Sequence, residues 1–410
     1  MHCRVAWRFS PSQVRLPATI AALTFGITVA SCGHDVTEPS LPGFAAVGAG
    51  GSHSCGVGRD GALYCWGSDA GGLLGDGLPL EGGPLPRRVA SSDAFSSVAA
   101  GRHLTCALTV DGAPVCWGNP VGSPGDFVAN EFAPEPAGVP GDLRFVAIDA
   151  SETVACGITA AAVLYCWGSN GFGQLGTGVA EASKCMPGGV PIPCHPEPQP
   201  VDGGILFTMV STGDDYVCAI SADSAGYCWG RSRFGRVGDG SLQDRPSPTP
   251  ITGDLTLMGI STGSGHACAI AGDGVAYCWG YNGFGQLGIG TADTLAHASP
   301  LRVESGSVRF RSISAGGSHT CALATDGQAY CWGWGDMGQL GTGFVDDNHN
   351  PQAVVGGLTF SNVGVGELWH TCGTSVDGEI YCWGRNDNGE VGVDPAVAGQ
   401  SAVPVRLASP

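Results

Sequence analysis

The sequence contains seven pairs of cysteines in which the second member lies ten positions after the first and opens the triplet Cys-Trp-Gly. Successive triplets are 51, 50, 62, 50, 53 and 51 residues apart. A period of about 50 residues is typical of propellers and solenoids, because one such unit cannot bury its apolar face without its neighbours. The repeat therefore predicts a single domain, whereas the length of 410 residues alone favours two or three. The pairs are Cys55 and Cys65, Cys106 and Cys116, Cys156 and Cys166, Cys218 and Cys228, Cys268 and Cys278, Cys321 and Cys331, and Cys372 and Cys382.

Each unit is predicted to hold four short strands. In the best-preserved unit, residues 310–341, runs of small, β-branched and aromatic residues alternate with glycine-containing turns, which is the pattern of strands and hairpins. A strand that contains proline or valine is predicted before each phenylalanine strand, as at Pro200-Val201, Pro250-Ile251, Arg302-Val303 and Ala353-Val354. The sequence therefore predicts an all-β fold, a seven-bladed β-propeller with four-stranded blades.

The loop between the two cysteines of each pair has a predictable geometry. If the cysteines face each other across a hairpin, the midpoint of each pair is the centre of a three-residue loop. Six of the seven centres are Asp and a Gly follows in five units, which suits a type I turn closed by a left-handed residue. Directly opposed cysteines would have Cα atoms about 4.5 Å apart, within the range of a disulfide. The centres are Asp60, Asp111, Ala161, Asp223, Asp273, Asp326 and Asp377.

The two ends of the repeat region predict how the ring closes. The first unit begins at Phe44 without a preceding Pro/Val strand, and the chain ends with such a strand at residues 402–407. We therefore expect the C-terminal strand to complete the first blade of a propeller that spans residues 44–407. A closed ring leaves no free sheet edge for aggregation.

The N-terminal segment predicts export. Residues 1–15 carry three arginines and no acid, residues 16–31 are uncharged and largely apolar, and Cys32 follows Val29-Ala30-Ser31. This pattern resembles a bacterial lipoprotein signal, so we expect a signal peptide at 1–31, lipid on Cys32, and a short linker within 32–43. A transmembrane anchor is the alternative, although the apolar stretch is short for a membrane span.

The number of cysteines favours disulfides. Removing Cys3 with the signal and acylating Cys32 leaves sixteen of the eighteen cysteines, which are the seven repeat pairs and the additional pair of Cys185 and Cys194. An even number of cysteines in an exported chain favours pairing. Reduced, buried thiols are the alternative. A zinc site is disfavoured, because paired ligands in structural zinc sites are usually roughly two to four residues apart.

Charge and motifs exclude several classes of function. Removing the three N-terminal arginines changes the net charge from −18 to −21, and Lys184 is the one lysine. Nucleic acid is therefore a disfavoured partner, because phosphate binding needs a basic stripe. The sequence lacks a Gly-x-Ser-x-Gly elbow, a His-Glu-x-x-His motif and a phosphate-binding loop. We therefore expect neither enzymatic activity nor a cofactor or metal.

Several segments closely resemble the repeats of the regulator of chromosome condensation family. These segments are AGGSHTCALATDGQAYCWG and GQLGTG within residues 315–343, GSGHACAIAGDGVAYCWGYNGFGQLGIG at 263–290, and YCWGSNGFGQLGTG at 165–178. The resemblance covers residues 44–407 and implies a seven-bladed propeller. Well-known members of the family catalyse nucleotide exchange on the small GTPase Ran and bind chromatin, whereas secreted bacterial propellers of this type include inhibitors of β-lactamases.

The loop that causes the one long spacing, and two tryptophans outside the repeat pattern, are the candidates for partner contact. The extra residues of the 62-residue spacing fall in 177–199, where five prolines accompany the private pair of Cys185 and Cys194. A bridged, proline-rich loop is preorganised for binding, although propeller loops also tolerate insertions that have no role. The candidate contact residues of this loop are Lys184, Met186, Pro191, Ile192 and His195. Trp334 and Trp369 are candidate exposed aromatics outside the repeat pattern.

A histidine stands two residues before the first cysteine in four units, as His53, His266, His319 and His370. The other three units have Leu104, Val154 and Tyr216 at this position. A ring of imidazoles could bind a metal, but replacement in three units favours a structural role. The tryptophan of each Cys-Trp-Gly triplet is predicted to be core between blades.

These observations predict a lipid-anchored extracytoplasmic propeller at the cell envelope that acts as a protein-binding or scaffolding module. We expect a monomeric ring that is attached to the membrane only through its lipid. An exported inhibitor of an envelope or secreted enzyme is the first alternative. Guanine-nucleotide exchange on a small GTPase is the alternative that the family resemblance implies. Glycan binding through exposed aromatics is a further one.

Overall fold

The computed structural model describes residues 43–78, 81–118, 133–180 and 193–408. These residues form seven four-stranded antiparallel sheets, the blades of a propeller, and one short 3-10 turn at Arg233–Gly235. The all-β, seven-bladed prediction is therefore confirmed. The predicted signal peptide at 1–31, the lipidation site Cys32 and the linker up to residue 42 lie outside the described residues, as do Lys184, Cys185, Met186, Pro191 and Ile192.

Every blade places its four strands side by side in chain order. The first strands are β1 (Phe44–Ala49), β5 (Phe95–Ala100), β9 (Phe145–Ala150), β13 (Phe207–Thr212), β17 (Leu257–Thr262), β21 (Phe310–Ala315) and β25 (Phe360–Val365). The second strands are β2 (His53–Gly58), β6 (Leu104–Thr109), β10 (Val154–Thr159), β14 (Tyr216–Ser221), β18 (His266–Ala271), β22 (His319–Ala324) and β26 (His370–Ser375). The third strands are β3 (Leu63–Gly67), β7 (Pro114–Gly118), β11 (Leu164–Ser169), β15 (Gly226–Gly230), β19 (Ala276–Asn282), β23 (Ala329–Gly333) and β27 (Ile380–Arg385). The fourth strands are β4 (Gly83–Arg88), β8 (Ala133–Gly138), β12 (Cys194–Pro200), β16 (Arg245–Pro250), β20 (Asp293–Arg302), β24 (Asn348–Ala353) and β28 (Gln400–Arg406).

The predicted ring closure is wrong. The C-terminal strand β28 pairs with β27 and completes the seventh blade, and the first blade is built from β1 to β4 alone. The Pro/Val strand is therefore the outermost strand of its own unit and does not begin the next one. The ring closes by packing of blade 1 against blade 7, where the Phe44 amide donates to the Gly378 carbonyl at 2.8 Å.

The hairpins between second and third strands have the predicted register. Each first cysteine lies directly opposite its partner in the ladder. The loop glycine is left-handed in the five units that have one, with φ of 80° at Gly61 and 88° at Gly327. Ala162 and Ser224 occupy this position in blades 3 and 4 and are also left-handed, with φ of 63° and 68°. The turn geometry is therefore kept even where the sequence lacks glycine.

The seven cysteine pairs of the repeats are bonded in the structure. Their Cα atoms are 4.0 to 4.1 Å apart, close to the spacing that opposed strand positions allow. All fourteen of these cysteines are buried, and seven disulfides in one domain are typical of proteins from oxidising compartments. The bonds join Cys55 to Cys65, Cys106 to Cys116, Cys156 to Cys166, Cys218 to Cys228, Cys268 to Cys278, Cys321 to Cys331, and Cys372 to Cys382.

The core lies between blades. Each interface packs the cysteines of one blade against the inner phenylalanine or leucine and the triplet tryptophan of the next, as where Cys55 and Cys65 meet Phe95 and Trp117. All seven triplet tryptophans are fully buried, which confirms their predicted place in the core. The indole of Trp117 also donates to the Leu73 carbonyl in the preceding blade at 2.9 Å. Within the described ranges, no helix is long and apolar enough to span a membrane.

Candidate partner-binding face

The alternation of strand direction gives the propeller two different faces. The loops between first and second strands and between third and fourth strands lie on one face, here called the upper face. The cysteine hairpins and the connections between blades lie on the opposite, lower face. Because the first strands surround the axis, the loops that follow them form the mouth of the axial channel on the upper face.

The insertion of the third unit falls between β11 and β12 in the chain, and the end of β11 and the start of β12 are on the upper face; its residues 181–192 lie outside the described residues. Strand β12 starts at Cys194, so the last residues of the predicted loop are part of the sheet. His195 pairs with Gly168 and is only 9% exposed, which corrects its predicted place among exposed contact residues. Cys194 is disulfide-bonded, and its predicted partner Cys185 is outside the described residues.

Five aromatic side chains form a continuous row across blades 4 to 7 on the upper face. They are Phe234, Tyr281, Phe284, Trp334 and Trp369. Ring centroids are 4.7 Å apart for Phe234 and Tyr281, 6.3 Å for Tyr281 and Phe284, 5.8 Å for Phe284 and Trp334, and 5.0 Å for Trp334 and Trp369. We call this set the aromatic row.

The predicted exposed aromatics are two members of this row. Trp334 and Trp369 pack edge to face, so each is half-buried by its neighbours rather than fully exposed. Arginine side chains lie at both ends: the Arg233 guanidinium is 4.7 Å from the Phe234 ring centroid, and that of Arg385 is 4.9 Å from Trp369. Such cation–π contacts hold the outer rings in place.

A one-residue insertion places Trp369 in the row. Opposed residues of the first two strands are eight positions apart in blade 7 (Gly364 and Cys372), but seven apart in blade 6 (Ser314 and Cys321). Trp369 has a φ of 75°, a conformation that costs a bulky residue about 1 to 3 kcal/mol. Retention of such strain at a surface tryptophan is a feature of functional sites.

A ring of polar side chains surrounds the axial channel at its upper end. Ser211, Ser261 and Ser314 occupy equivalent positions in three successive first strands. Each hydroxyl oxygen accepts a hydrogen bond from a backbone amide of the next blade, at 3.1 Å for Ser211, 3.0 Å for Ser261 and 3.0 Å for Ser314. The channel wall is therefore held together by side chains that bridge blades.

Asp149 occupies the same position in blade 3. Its Oδ2 accepts hydrogen bonds from the Thr212 amide at 2.6 Å and from the Thr212 hydroxyl at 3.2 Å. Burial nevertheless raises the pKa of Asp149 to about 6, because loss of hydration disfavours the carboxylate more than these bonds favour it. This carboxyl group thus faces the channel without a positively charged partner.

Further carboxylates surround the channel mouth. Burial raises the pKa of Glu367, and the nearby carboxylates Asp214 and Glu152 raise it further. Burial and Glu152 likewise raise the pKa of Asp214. The Arg102 guanidinium lowers both values and lies 3.7 Å from Glu152. Arg236, 3.7 Å from Asp215, also lowers the pKa of Asp214, and His103 is 3.9 Å from Glu152. The mouth therefore combines two arginines and a histidine with several carboxylates.

The four repeat histidines lie inside blade interfaces. Nε2 of His53, His266 and His319 is 2.7 to 2.9 Å from a threonine hydroxyl of the next blade, and Nε2 of His370 is 2.9 Å from the Ser54 hydroxyl. Burial lowers the pKa of the first three to about 3 and that of His370 to about 4. The imidazoles are therefore neutral at physiological pH.

The hydroxyl partners explain the irregular occurrence of these histidines. Where a unit has His, the next unit has Ser or Thr one residue after the equivalent position. Where it has Leu104, Val154 or Tyr216, the next unit has Ala155, Val217 or Ala267. The histidines thus bridge neighbouring blades, and among the described residues no group of three or more His, Cys, Asp or Glu is arranged to hold a metal ion.

The fold and this surface together define a class, the disulfide-bonded seven-bladed propellers with a polar axial channel. The chain belongs to the regulator of chromosome condensation (RCC1) repeat family. One sequence model of this repeat matches residues 60–108, 163–220, 226–270, 273–323 and 326–371, and a second matches 44–72, 259–286, 310–339 and 360–390.

Curated relatives match only part of the chain. The ultraviolet-B receptor UVR8 of Arabidopsis thaliana is 31% identical over 229 residues, which are 55% of this chain and 49% of the receptor. The RCC1 domain-containing protein 1 of Homo sapiens is 35% identical over 86 residues, 20% of this chain and 23% of that protein. The chain thus spans about half the length of the first relative and less of the second.

Solved structures share the fold over most of the chain. Prp20p of Saccharomyces cerevisiae, described with its binding to Gsp1p and histones, has a TM-score of 0.72 and 22% identity over 84% of this chain and 85% of its own. Human WBSCR16 has a TM-score of 0.69 and 20% identity over 79% and 85%, respectively. At this identity the likeness concerns the fold alone.

Proposed function

We propose that this chain is an exported, lipid-anchored propeller that binds a partner protein with its upper face. The aromatic row is the observation that carries the proposal. Aromatic residues are enriched in the energetic centres of protein interfaces, because they bury a large area at a small cost in side-chain entropy. The mouth of the channel is on the same face, so one partner can contact the row and the mouth together. The insertion between β11 and β12 is proposed as a third contact, because the strand ends that flank it are on this face.

The location outside the cytoplasm is supported by the cysteines. Seven hairpin disulfides persist in an oxidising compartment and are rare in the cytosol. Acylation of Cys32 and removal of residues 1–31 are part of the proposal and are supported by the signal-like sequence. Mass spectrometry of the mature N-terminus tests both together.

The identity of the partner decides between related roles. A partner that is an envelope or secreted enzyme would make the chain an inhibitor, and any other partner would make it a scaffold. Nucleotide exchange on a GTPase is an alternative that is suggested only by the similarity of the fold to Prp20p, which is described with its binding to Gsp1p. A lipid anchor outside the cytoplasm would separate this chain from a cytosolic GTPase. Glycan binding is the second candidate that the surface favours, because Trp334 and Trp369 present half-buried rings.

The proposal is tested by cross-linking capture with the oxidised full chain and envelope and secreted proteins of the producing organism. The test variant replaces Trp334 and Trp369 with Ala. The matched control replaces Val110 and Val376, exposed apolar residues of lower-face hairpins, with Ala. We expect one protein to be captured by the wild type and the control and lost from the tryptophan variant.

Three outcomes would contradict the proposal. Equal capture by the tryptophan variant would place the contact elsewhere, and loss from the lower-face control would show that the opposite face binds. Retention on a polysaccharide column that depends on Trp334 and Trp369, without any captured protein, would favour glycan binding. Circular dichroism of each variant verifies that the propeller is folded.

A further inference from the structure

The upper end of the axial channel is a small cavity lined by carboxylates and by no basic side chain among the described residues. Its volume is about 160 Å³, and its lining includes the carboxylates of Asp149 and Glu367 but no lysine, arginine or histidine among the described residues. Pockets for drug-sized ligands usually measure about 300 Å³ or more. This cavity is therefore suited to one side chain that enters from the upper face and not to a larger ligand.

The two carboxylates that line the channel, Asp149 and Glu367, make no ion pair with a described residue. Oε2 of Glu367 and Oδ1 of Asp214 are buried and accept no hydrogen bond from these residues. Asp149 is bonded by neutral donors of Thr212. Two arginines lie near the mouth, and each is engaged by another acid: Arg102 is 3.7 Å from Glu152, and Arg236 is 3.7 Å from Asp215. A buried carboxylate without a cationic partner is unfavourable, so a positive group supplied from outside would be strongly attracted.

We propose that the channel mouth receives one lysine or arginine side chain of a partner protein, while the aromatic row contacts the residues next to it in the partner. This inference rests on the proposed protein-binding role and defines the chemistry of the partner. The ammonium or guanidinium group is bound by Glu367 at the mouth and faces Asp149 in the channel. Rings of the aromatic row add cation–π and apolar contacts to neighbouring partner residues.

The charge of the whole chain favours the same partner. A net charge of −18 attracts a basic segment over long distances and repels an acidic one. The acids at the centres of the hairpins, such as Asp377, are exposed on the lower face. The channel mouth differs from such sites because one carboxylate oxygen each of Glu367 and Asp214 is buried, and a desolvated carboxylate binds a cation more strongly than a hydrated one.

The inference is tested with peptides, independently of any captured partner. Isothermal titration of the oxidised full chain compares the capped peptide Gly-Gly-Arg-Gly-Gly with the same peptide in which neutral citrulline replaces arginine. We expect binding of the arginine peptide and at least about tenfold weaker binding of the citrulline peptide, the effect of one charge-assisted hydrogen bond. Glu367→Gln and Asp149→Asn should each weaken arginine binding, whereas the lower-face control Asp377→Asn should leave it unchanged.

Several results would overturn this inference. They are equal binding of both peptides, no binding of the arginine peptide, or a loss in Asp377→Asn that matches the loss in Glu367→Gln. The two proposals are separable, because arginine binding at Glu367 without a captured protein contradicts only the protein-binding role. If a captured partner binds the wild type, Glu367→Gln and Asp149→Asn equally, only the inference that a basic side chain enters the channel mouth is contradicted.

Discussion

Two kinds of blade interface make up this ring. The interfaces of blades 5/6, 6/7, 7/1 and 1/2 each contain a buried histidine bonded to a hydroxyl of the next blade. The interfaces 2/3, 3/4 and 4/5 contain Leu104, Val154 or Tyr216 in place of the histidine. The same fold thus tolerates a histidine–hydroxyl pair or its replacement at one position, provided that both partners change together.

The threonines define which nitrogen of the imidazole carries the proton. The hydroxyls of Thr105, Thr320 and Thr371 donate to loop carbonyls at 3.3, 2.9 and 2.9 Å. Each hydroxyl has one hydrogen, so its oxygen accepts from the histidine, and Nε2 carries the proton. Nδ1 is then buried without a hydrogen-bond partner among the described residues. Protonation is unfavourable because it would create a buried charge whose new N–H at Nδ1 has no acceptor.

The largest expected difference between the two kinds of interface is their response to acid. A histidine with a pKa near 6.5 when unfolded and about 3 when folded binds more protons in the unfolded chain between these values. Its contribution to the free energy of unfolding is therefore complete above about pH 6.5 and is lost as the pH falls toward 3.

This difference is measured by urea unfolding at neutral and acid pH. We expect the variant His319→Leu/Thr371→Ala to lose less free energy of unfolding between pH 7 and pH 4 than the wild type does. The raised pKa values of Asp149 and Glu367 act in the opposite direction, but they are common to both proteins and cancel in the comparison. Parallel acid titrations of the two proteins would contradict the assigned role of His319.

The second prediction concerns a variant that removes the hydroxyl of one histidine–hydroxyl pair and keeps the histidine. Thr371→Ala removes the acceptor for Nε2–H of His319, which is 2.9 Å away, and leaves a buried donor unpaired. We expect this change to lower the free energy of unfolding by about 1 to 3 kcal/mol. The double variant His319→Leu/Thr371→Ala should lose less, because it reproduces the combination of Leu104 with Ala155. A double variant as damaged as the sum of the two single variants would show that the pair is not coupled.

The period of the sequence predicted the blade count and the hairpins, but not the frame of the repeat. Strand number, turn geometry and opposed cysteines are local properties, so they could be read within one unit. Which strand of a repeating unit is innermost is not a local property, since any cyclic shift of four strands has the same period. For this reason the closure through residues 402–407 was predicted wrongly, although the strand itself exists.

The candidate site was predictable only in part. Trp334 and Trp369 break the repeat pattern and were visible as single residues, but Phe234, Tyr281 and Phe284 became part of a row only once their loops were known to share a face. The histidine–hydroxyl pairs between blades also have a signal in the sequence, but the sequence prediction missed it. Each repeat histidine is accompanied by Ser or Thr in the next unit, and this correlation can be read without coordinates.

The third prediction compares equivalent loop positions. Asn282 accepts from the Leu287 amide with Oδ1 and donates with Nδ2 to the Thr291 carbonyl, at 3.2 and 2.9 Å. Asp69 makes the equivalent bond to the Leu74 amide at 3.0 Å, but its buried Oδ2 has no donor among the described residues, and burial raises its pKa. Asp69→Asn should therefore raise the free energy of unfolding at pH 7 by about 1 kcal/mol.

The reciprocal change is the control for this third prediction. Asn282→Asp exchanges a donor for an acceptor opposite the Thr291 carbonyl and should destabilise the protein by a similar amount. Thermal or urea unfolding of both variants provides the measurement. Destabilisation by Asp69→Asn would mean that the carboxyl group of Asp69 has a favourable interaction that the amide cannot replace.

The smallest expected effect concerns hairpins with and without glycine. Ala162 adopts a φ of 63°, which costs an alanine about 1 to 2 kcal/mol relative to a right-handed conformation, so Ala162→Gly relieves strain. The gain is reduced to about 0.5 kcal/mol because glycine gives the unfolded chain more freedom. Gly327→Ala is the matched test in the opposite direction, and its new Cβ would lie 2.6 Å from Cγ2 of Thr359. Urea unfolding of both variants provides the measurement. A loss of stability in Gly327→Ala together with a gain in Ala162→Gly would show that the paired strands impose the turn geometry. A loss in both variants would show that blade 3 is adapted to alanine.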